Sequence, residues 1–371
     1  CADNISWSAT LDGNVIIEKV TVGMDFSAGA DFGVSPKIKK HSVNSFSSII
    51  RPAVPHKDSE IKDEYNQLSI EFKGGYNLYI RAYNDGVAYQ FEDINKAARN
   101  VVSENLSLSF PKGTRSLFPQ EESMYSHNER LYLDKSLTEI SDKEFCSLPV
   151  LFSTENGKVL FTETALHDYP GMFMKGSGVE TLEAIFPKYV LEAVPAEQSP
   201  DRNQTITKEA NFIAQVEGKR GFPWRVFIIS NDDRTFVESN LTYQLAQPTA
   251  IKNTDWIKPG KVAWDWYNAN NIYGVDFKSG INTATYKYYI DFASKNNIEY
   301  VILDEGWTKS TTEILEYNPD IDVPELIKYG KEKGVEIILW VLWKPLDENL
   351  TEILETYKNW DAKGIKVDFM Q

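Results

Sequence analysis

Acidic and aromatic side chains recur in the last third of the chain, each time at the end of a short apolar segment. The side chains lie at residues 264–266 (WDW), 304–307 (DEGW), 343–347 (WKPLD) and 366–368 (KVD). Asp368 stands inside an apolar strand, and strand alternation puts Lys366 on the same face. A carboxylate there needs a partner or a chemical task. The ammonium group of Lys366 would keep this carboxylate ionised and therefore nucleophilic.

An ionised carboxylate among acids and aromatic rings suits a reaction with an oxocarbenium-like centre, which is the chemistry of glycoside cleavage. Competing chemistries lack their motifs, since the sequence has no His-Glu-x-x-His, G-x-S-x-G, Walker loop or G-x-G-x-x-G. For each acid taken alone, a charge at a helix N-terminus is the simpler interpretation. The recurrence at strand ends favours a site. The four histidines all precede this region, so none is a base on its strands: His41, His56, His127 and His167.

Residues 249–371 alternate strands and helices in a way that would bring these side chains to one edge of a sheet. A closed (β/α)8 barrel needs about 250 residues, so this region is either a small open sheet or the first half of a barrel in a truncated chain. The polar strand ends favour the half-barrel, because that fold binds its substrate there. The predicted elements are strands 262–267, 300–304, 335–343 and 365–369, and helices 282–295, 323–333 and 349–363.

Residues 1–248 have a different sequence pattern, which predicts short strands separated by turns and no intervening helices. Asn84-Asp85-Gly86 predicts a hairpin turn because such residues tolerate positive φ. Regular short strands of this kind indicate a β-sandwich. The predicted strands are 15–20, 67–72, 76–83, 87–91, 106–110, 159–164, 184–193 and 225–230.

Charge and hydropathy limit the partners of the protein. The chain has 39 Lys and Arg against 54 Asp and Glu, a net charge of −15, so its surface would repel nucleic acid. The longest strongly apolar stretch, 337–343, is much shorter than the ~20 residues of a membrane span. No leader of the basic-then-apolar type precedes it. Cys1 is either an attachment point for a lipid or simply the first residue of the chain.

Several longer motifs resemble glycoside hydrolase family 97. The resemblance runs over most of the chain from about residue 60 onward and is looser before it. The motifs are 81–88 (RAYNDGVA), 162–166 (TETAL), 168–172 (DYPGM), 256–260 (WIKPG), 264–266 (WDW), 280–283 (GINT), 289–293 (YIDFA), 304–307 (DEGW) and 364–370 (GIKVDFM).

The resemblance implies an N-terminal β-super-sandwich at 1–248 followed by the first half of a catalytic (β/α)8 barrel at 249–371. The retaining branch of the family has a nucleophilic aspartate in a Lys-x-Asp motif, which Lys366-Val367-Asp368 matches. Inverting members have a base glutamate after strand three, where this chain has Trp343-Lys344-Pro345. Asp368 is therefore the expected nucleophile, and the general acid/base glutamate is expected beyond residue 371. The expected substrate-binding residues are Trp264, Asp265, Asp304, Glu305, Trp307 and Lys366.

The resemblance also implies a calcium ion beside the cleavage site, held by several glutamates. Glu129 is the best match to the ligand from the sandwich domain, and Glu122 is the second choice. An ordinary surface acid is the alternative at either position. Calcium prefers such oxygen ligands. The remaining ligands are expected outside the chain, and the family implies a periplasmic location.

The expected activity is that of a retaining exo-acting α-galactosidase on an oligosaccharide or polysaccharide. An inverting α-glucosidase of the same family and a non-catalytic carbohydrate-binding protein remain as alternatives. The sequence does not separate an α-galactoside from a β-L-arabinopyranoside.

Overall fold

The computed structural model describes residues 4–370, and the chain divides into two compact units. Unit 1 spans Cys1–Glu192 and Lys208–Thr254, and unit 2 spans Ala193–Thr207 and Asp255–Gln371. The boundary predicted from the sequence lies near residue 248. The assignment of the short segment Ala193–Thr207 to unit 2 is not predicted from the sequence. Cys1 lies outside the described residues. Within residues 4–370, no helix combines the length and apolar character that a membrane span requires.

Unit 1 is built almost entirely from antiparallel strands. Two short helices, α1 (Arg234–Glu238) and α2 (Leu241–Leu245), follow the last strand. The strands are β1 (Ile5–Leu11), β2 (Asn14–Phe26), β3 (Ile38–Ile50), β4 (Ile61–Phe72), β5 (Tyr76–Tyr83), β6 (Gly86–Asp93), β7 (Arg99–Ser109), β8 (Arg115–Glu121), β9 (Tyr132–Ser136), β10 (Phe145–Cys146), β11 (Val150–Thr154), β12 (Gly157–Thr164), β13 (Phe173–Lys175), β14 (Thr181–Ile185), β15 (Val190–Pro195), β16 (Gln204–Glu209), β17 (Ala214–Val216), β18 (Arg220–Gly221) and β19 (Trp224–Ser230).

These strands form two sheets that share a core. One sheet contains β1, β2, β7, β14, β13 and β10, and the other runs β3-β4-β5-β6-β19-β12-β11-β8-β9. Strand β8 joins them because it pairs with both β10 and β11. Val22 and Leu108 of the first sheet are buried in one cluster with Leu78 and Phe227 of the second. Apolar side chains on alternate positions thus hold two sheets face to face, which is a β-sandwich.

Two sequence expectations need correction here. The predicted strand at 184–193 is two strands, β14 and β15, because Pro187 cannot donate to a sheet ladder. The predicted turn at residues 84–86 does join β5 to β6, whose register pairs Tyr83 with Gly86. Its residues do not adopt positive φ. Gly86 is required for another reason, since a Cβ there would lie 2.2 Å from the carbonyl oxygen of Phe227.

Unit 2 contains a four-stranded parallel sheet in the order β20-β21-β22-β23. Helix α3 begins at its N-cap Asn282, whose side chain accepts a hydrogen bond from the Thr285 backbone. Helix α4 ends at Gly334, which has a φ of +72°. The elements are β20 (Val262–Trp264), α3 (Thr283–Lys295), β21 (Tyr300–Leu303), α4 (Val323–Lys333), β22 (Glu336–Leu342), α5 (Trp343–Glu348), α6 (Leu350–Asn359) and β23 (Gly364–Asp368).

The strands and helices of unit 2 differ from the sequence expectation mainly at their ends. Strand β20 stops at Trp264, and a 3₁₀ turn at Asp265–Asn268 follows it. Trp343 begins the short helix α5 instead of ending a strand, and Pro345 is tolerated there because it lies in the first turn. Helix α6 ends at Asn359, four residues before the predicted end.

The two faces of the parallel sheet have different surroundings. Val301, Leu339 and Val367 lie on the face that packs against helix residues such as Ile290 and Leu326. The parallel register puts the intervening residues together on the opposite face. Ile302 and Ile338 on that face are half-buried, whereas Trp340 and Leu342 are buried. Its polar and aromatic members are Trp264, Asp304, Trp340, Lys366 and Asp368.

Candidate active site

Lys366 lies at the centre of a charged cluster on the half-open face of the parallel sheet. Its Nζ lies 2.8 Å from Oδ2 of Asp368 and 3.3 Å from Oδ2 of Asp304. The same Nζ lies 4.5 Å from the ring centroid of Trp264, a cation–π distance. The parallel strands bring these groups together because β20, β21 and β23 end at the same edge. One ammonium group therefore ties together two of the predicted carboxylates and one of the predicted tryptophans.

Asp368 is held ionised while it stays accessible. Its Oδ2 accepts hydrogen bonds from Lys366 and from Nε1 of Trp340, at 2.8 and 2.9 Å. Its Oδ1 accepts the backbone N–H of Phe369 at 2.9 Å. Partial burial by itself would raise the pKa of Asp368, but these hydrogen bonds outweigh it and hold the pKa below its usual value. The side chain is 38% exposed.

Asp304 supports the cluster from a more buried position. Its Oδ2 accepts the indole N–H of Trp264 at 2.5 Å in addition to the ammonium group. Its Oδ1 accepts the backbone N–H of Glu305 at 2.8 Å. The side chain is only 13% exposed. Asp304 therefore orients Trp264 and Lys366 through hydrogen bonds. Only the small exposed part of its side chain could touch a sugar.

Asp265 and Trp307 are not placed where the sequence analysis expected them. Asp265 is 2% exposed in the 3₁₀ turn, where it accepts a hydrogen bond from the Tyr286 hydroxyl at 2.5 Å, and burial raises its pKa. Trp307 is completely buried, and its Nε1 donates to the carbonyl oxygen of Trp340 at 2.7 Å. Gly306, at a φ of +111°, precedes Trp307 in the turn after β21. Neither side chain can wall a sugar site, which corrects that expectation.

Glu305 lies at the edge of the cluster in a contact that the sequence analysis did not predict. Its carboxylate accepts two hydrogen bonds from Arg202, at 3.0 and 2.8 Å. Arg202 belongs to unit 2 through the segment between β15 and β16. The predicted sugar contact of Glu305 thus involves a carboxylate that is already paired with a guanidinium group.

Glu129, the predicted calcium ligand, lies on an exposed loop of unit 1 before β9. Its backbone N–H donates to Nδ1 of His127 at 3.3 Å. Calcium takes six to eight oxygen ligands. In the part of the chain that the structure describes, no group of three or more His, Cys, Asp or Glu side chains could hold a metal ion. These residues alone do not make a calcium site, although the carboxylate of Glu129 is a suitable donor.

Comparison with known proteins identifies the family. Residues 2–248 match the family described as "Glycosyl-hydrolase 97 N-terminal", and residues 265–371 match "Glycoside hydrolase 97". The chain belongs to glycoside hydrolase family 97. The resemblance read from the sequence motifs is therefore confirmed, and the cluster around Lys366 lies in the part that matches the second family 97 description.

Individual relatives from family 97 resemble the chain over nearly its whole length. A "Retaining alpha-galactosidase" from Bacteroides thetaiotaomicron is 34% identical, over 99% of this chain and 57% of that protein. A "Probable retaining alpha-galactosidase" from Streptomyces bingchenggensis is 24% identical, over 96% of this chain and 52% of that protein. A solved structure of a family 97 enzyme with acarbose, from Pseudoalteromonas sp. strain K8, has a TM-score of 0.83.

The Pseudoalteromonas enzyme in that structure is 19% identical in sequence to this chain, and the match covers 98% of this chain and 56% of that protein. At this identity the likeness concerns the fold. The chain spans a little over half the length of each of these three proteins.

Proposed function

We propose that the protein is a retaining, exo-acting glycosidase that hydrolyses terminal α-galactosides, with Asp368 as its nucleophile. The observation that carries this proposal is the state of the Asp368 carboxylate. Lys366 and Trp340 hold it ionised through Oδ2, while the side chain remains 38% exposed on the open face of the sheet. A carboxylate that is both charged and reachable is what a glycosyl-enzyme mechanism requires.

The proposed reaction begins with attack on the anomeric carbon. Oδ1 of Asp368 is suited to this attack because Oδ2 already accepts two side-chain hydrogen bonds, whereas Oδ1 accepts one from the backbone. The new C–O bond forms as the bond to the aglycone breaks, and a general acid protonates the departing oxygen. Water then attacks the same carbon and releases Asp368 and the sugar. The general acid/base is proposed to be a glutamate outside residues 1–371.

The parallel sheet is proposed to be half of a (β/α)8 barrel whose interior is the open face. Helices cover the opposite face, and Ile302 and Ile338 on the open face are half-buried. Charged side chains gather at the carboxyl ends of the strands, where barrels bind substrate. The family resemblance adds two proposals that rest on no cluster of described side chains. These are a calcium ion held partly by Glu129 and a periplasmic location.

The choice of α-galactoside and of retention rests on two features. The relative from B. thetaiotaomicron carries the name of a retaining alpha-galactosidase. The chain also offers no glutamate at the expected position after β22, where Trp343-Lys344-Pro345 begins α5. An inverting α-glucosidase would need such a base there. The alternative of a non-catalytic carbohydrate-binding protein needs the Asp368 carboxylate only as a hydrogen-bond acceptor for sugar hydroxyls.

The test uses the full-length protein with nitrophenyl α-galactoside, and NMR of the first product. We expect release of α-galactose, because two displacements restore the starting configuration. Asp368→Asn should lower kcat about 10³-fold or more, and azide should restore turnover of Asp368→Ala by replacing the carboxylate. Asp361→Asn is the matched control, since Asp361 is an aspartate of the same unit that Lys363 and Lys331 pair with.

Three results would count against the proposal. A β-configured first product would favour inversion. Full activity of Asp368→Asn would remove the nucleophile. An inactive wild-type protein that still binds galactosides would favour the carbohydrate-binding alternative.

A further inference from the structure

The segment between β15 and β16 brings an arginine to the charged end of the parallel sheet. Together with the adjoining ends of both strands it forms the range Ala193–Thr207, which groups with unit 2 although the chain on both sides belongs to unit 1. The backbone N–H groups of Arg202 and Asn203 donate to the carbonyl oxygen of Ser199, at 3.1 and 2.9 Å, and form a tight turn. Arg202 therefore projects from a hydrogen-bonded turn.

The guanidinium group of Arg202 pairs with two carboxylates. Two of its nitrogens donate to the two oxygens of Glu305, a bidentate pair. Its Nε and Nη2 also donate to Asp201. The hydroxyl of Thr311 donates to Asp201 at 2.7 Å and anchors the pair. The Arg202 side chain is 18% exposed. Each nitrogen thus has a protein partner, which leaves little capacity for binding a sugar directly.

Arg202 also contacts the residue that follows the proposed nucleophile. Its guanidinium carbon lies 4.8 Å from the ring centroid of Phe369. The same ring makes a T-shaped contact with Trp340, at 6.5 Å between ring centroids. Phe369 has a φ of +55°, a left-handed conformation that a bulky residue rarely adopts. Contacts from both neighbours thus hold an unfavourable backbone conformation.

The peptide group that joins Asp368 to Phe369 matters because it carries a hydrogen bond to the proposed nucleophile. The N–H of Phe369 donates to Oδ1 of Asp368. In the same way, the N–H of Glu305 donates to Oδ1 of Asp304. Arg202 therefore holds the residue after each of the two acids that Lys366 joins. Both backbone donors fix the orientation of a carboxylate.

We propose that Arg202 is a positioning residue for the reaction. Through Phe369 and Glu305 it holds the backbone donors that orient Asp368 and Asp304. This proposal rests on the proposed function, because it assigns Arg202 to the same nucleophile. A lysine could not replace it fully, since an ammonium group does not pair with Glu305 in a bidentate manner.

The test compares Arg202→Met and Arg202→Lys with the wild type in the full-length protein. For Arg202→Met we expect kcat to fall about 10- to 100-fold, the cost of misplacing a reacting group, with little change in KM. Losing a well-aimed donor raises the pKa of Asp368. The acid limb of the kcat/KM profile should therefore move to higher pH, by about half a unit to one unit. Arg202→Lys should lie between the two.

The matched control is Arg115→Met, which removes an arginine paired with Asp134 on unit 1 and should leave both kinetic constants unchanged. A rise in KM at constant kcat, with an unmoved acid limb, would make Arg202 a sugar ligand and overturn the proposal. Wild-type kinetics in both variants would overturn it too. If Arg202→Met does not fold, Arg202→Lys decides by the same two readouts.

A crystal structure of the variant separates this proposal from the proposed function. We expect the Phe369 ring to move in Arg202→Met, or in Arg202→Lys if only that variant folds, and the Asp368–Phe369 peptide to rotate so that its N–H turns away from Oδ1 of Asp368. An unchanged Phe369 would overturn the positioning role even if the protein is a glycosidase. A wild-type protein without galactosidase activity would instead reject the proposed function, and the change at Phe369 would still be measurable.

Discussion

Each unit contains a cation between two carboxylates, Arg225 in unit 1 and Lys366 in unit 2, and the two clusters differ in their exposure. Arg225 donates to both oxygens of Glu104, at 2.8 and 2.6 Å, and to Glu163. Its side chain is 1% exposed. Burial raises the pKa of Glu163 despite the guanidinium beside it. The Arg225 cluster is sealed in the sandwich and is therefore a structural element.

The Lys366 cluster is arranged in a similar way but is open. Its lysine is 27% exposed and Asp368 is 38% exposed. The compact ammonium group of Lys366 donates to two carboxylates that stay partly exposed. The planar guanidinium group of Arg225 instead binds both oxygens of its partner Glu104. The pKa of Asp368 is lowered, and that of Glu163 is raised. The two clusters thus share a set of charges and differ in burial, and the directions of their pKa shifts follow that difference.

The largest effect is expected when the buried cluster is broken. Arg225→Met would leave Glu104 and Glu163 buried without their cation. Removing one partner of a buried ion pair costs about 3–5 kcal/mol of unfolding free energy, which denaturant titration would measure. A loss below about 1 kcal/mol would mean that the Arg225 cluster behaves like a surface pair, and the comparison would fail.

The same substitution in the open cluster should affect activity more than stability. Lys366→Met should lower kcat/KM of the full-length protein about 100-fold, as removal of one positioned electrostatic donor does. Its unfolding free energy should change by less than about 1 kcal/mol. The acid limb of the kcat/KM profile should move to higher pH, because losing the ammonium group raises the pKa of Asp368.

Lys333→Met, which removes a lysine of α4 that pairs with Asp291 of α3, is the control for Lys366→Met. Retained activity in Lys366→Met, or a loss of stability comparable to that of Arg225→Met, would contradict the assignment of the two clusters.

The smallest effect is expected at an intermediate pair on unit 1. Lys135 donates to Glu144 at 2.5 Å, and both side chains are about one quarter exposed. Hydrogen bonds from Lys135 and Ser141 lower the pKa of Glu144 from 4.5 to about 2. The folded-state pKa is depressed, so this stabilisation is complete above pH 4.5 and is lost as the pH falls through about 2. Glu144→Gln should cost about 1 kcal/mol at pH 7.

Thermal unfolding of wild type and Glu144→Gln across this pH range measures the difference. A stability gap that stays constant down to pH 2 would show that the pair contributes through something other than the charge of Glu144.

The sequence predicted the parts of the site that depend on local periodicity. Lys366 and Asp368 share a face because they lie two residues apart in a strand, and Asp304 follows an apolar strand that ends beside them. Trp340 was missed because its contact with Asp368 depends on the register of β22 against β23. Alternating side chains show which face a residue occupies in its own strand, but not which residue lies opposite.

The expectations that failed depended on where a strand ends or how a turn bends. Asp265 was expected in a strand, yet β20 stops one residue earlier and the 3₁₀ turn buries it against Tyr286. Trp307 was expected at the site, but it is completely buried in the hydrophobic core of unit 2. Arg202 precedes Glu305 by 103 residues, and no local pattern links a hairpin turn to a strand end so far along the chain. Such contacts follow from tertiary packing.

The grouping of Ala193–Thr207 with unit 2 has a practical consequence for anyone who divides this protein. A fragment that starts at Asp255 would keep all four parallel strands but would lose Arg202 and Asp201. Exchanging the strand-rich N-terminal region for that of a relative would import a foreign turn beside Asp368. Unit 2 is therefore not encoded by one continuous stretch of sequence, and cutting or swapping at the linker would alter it.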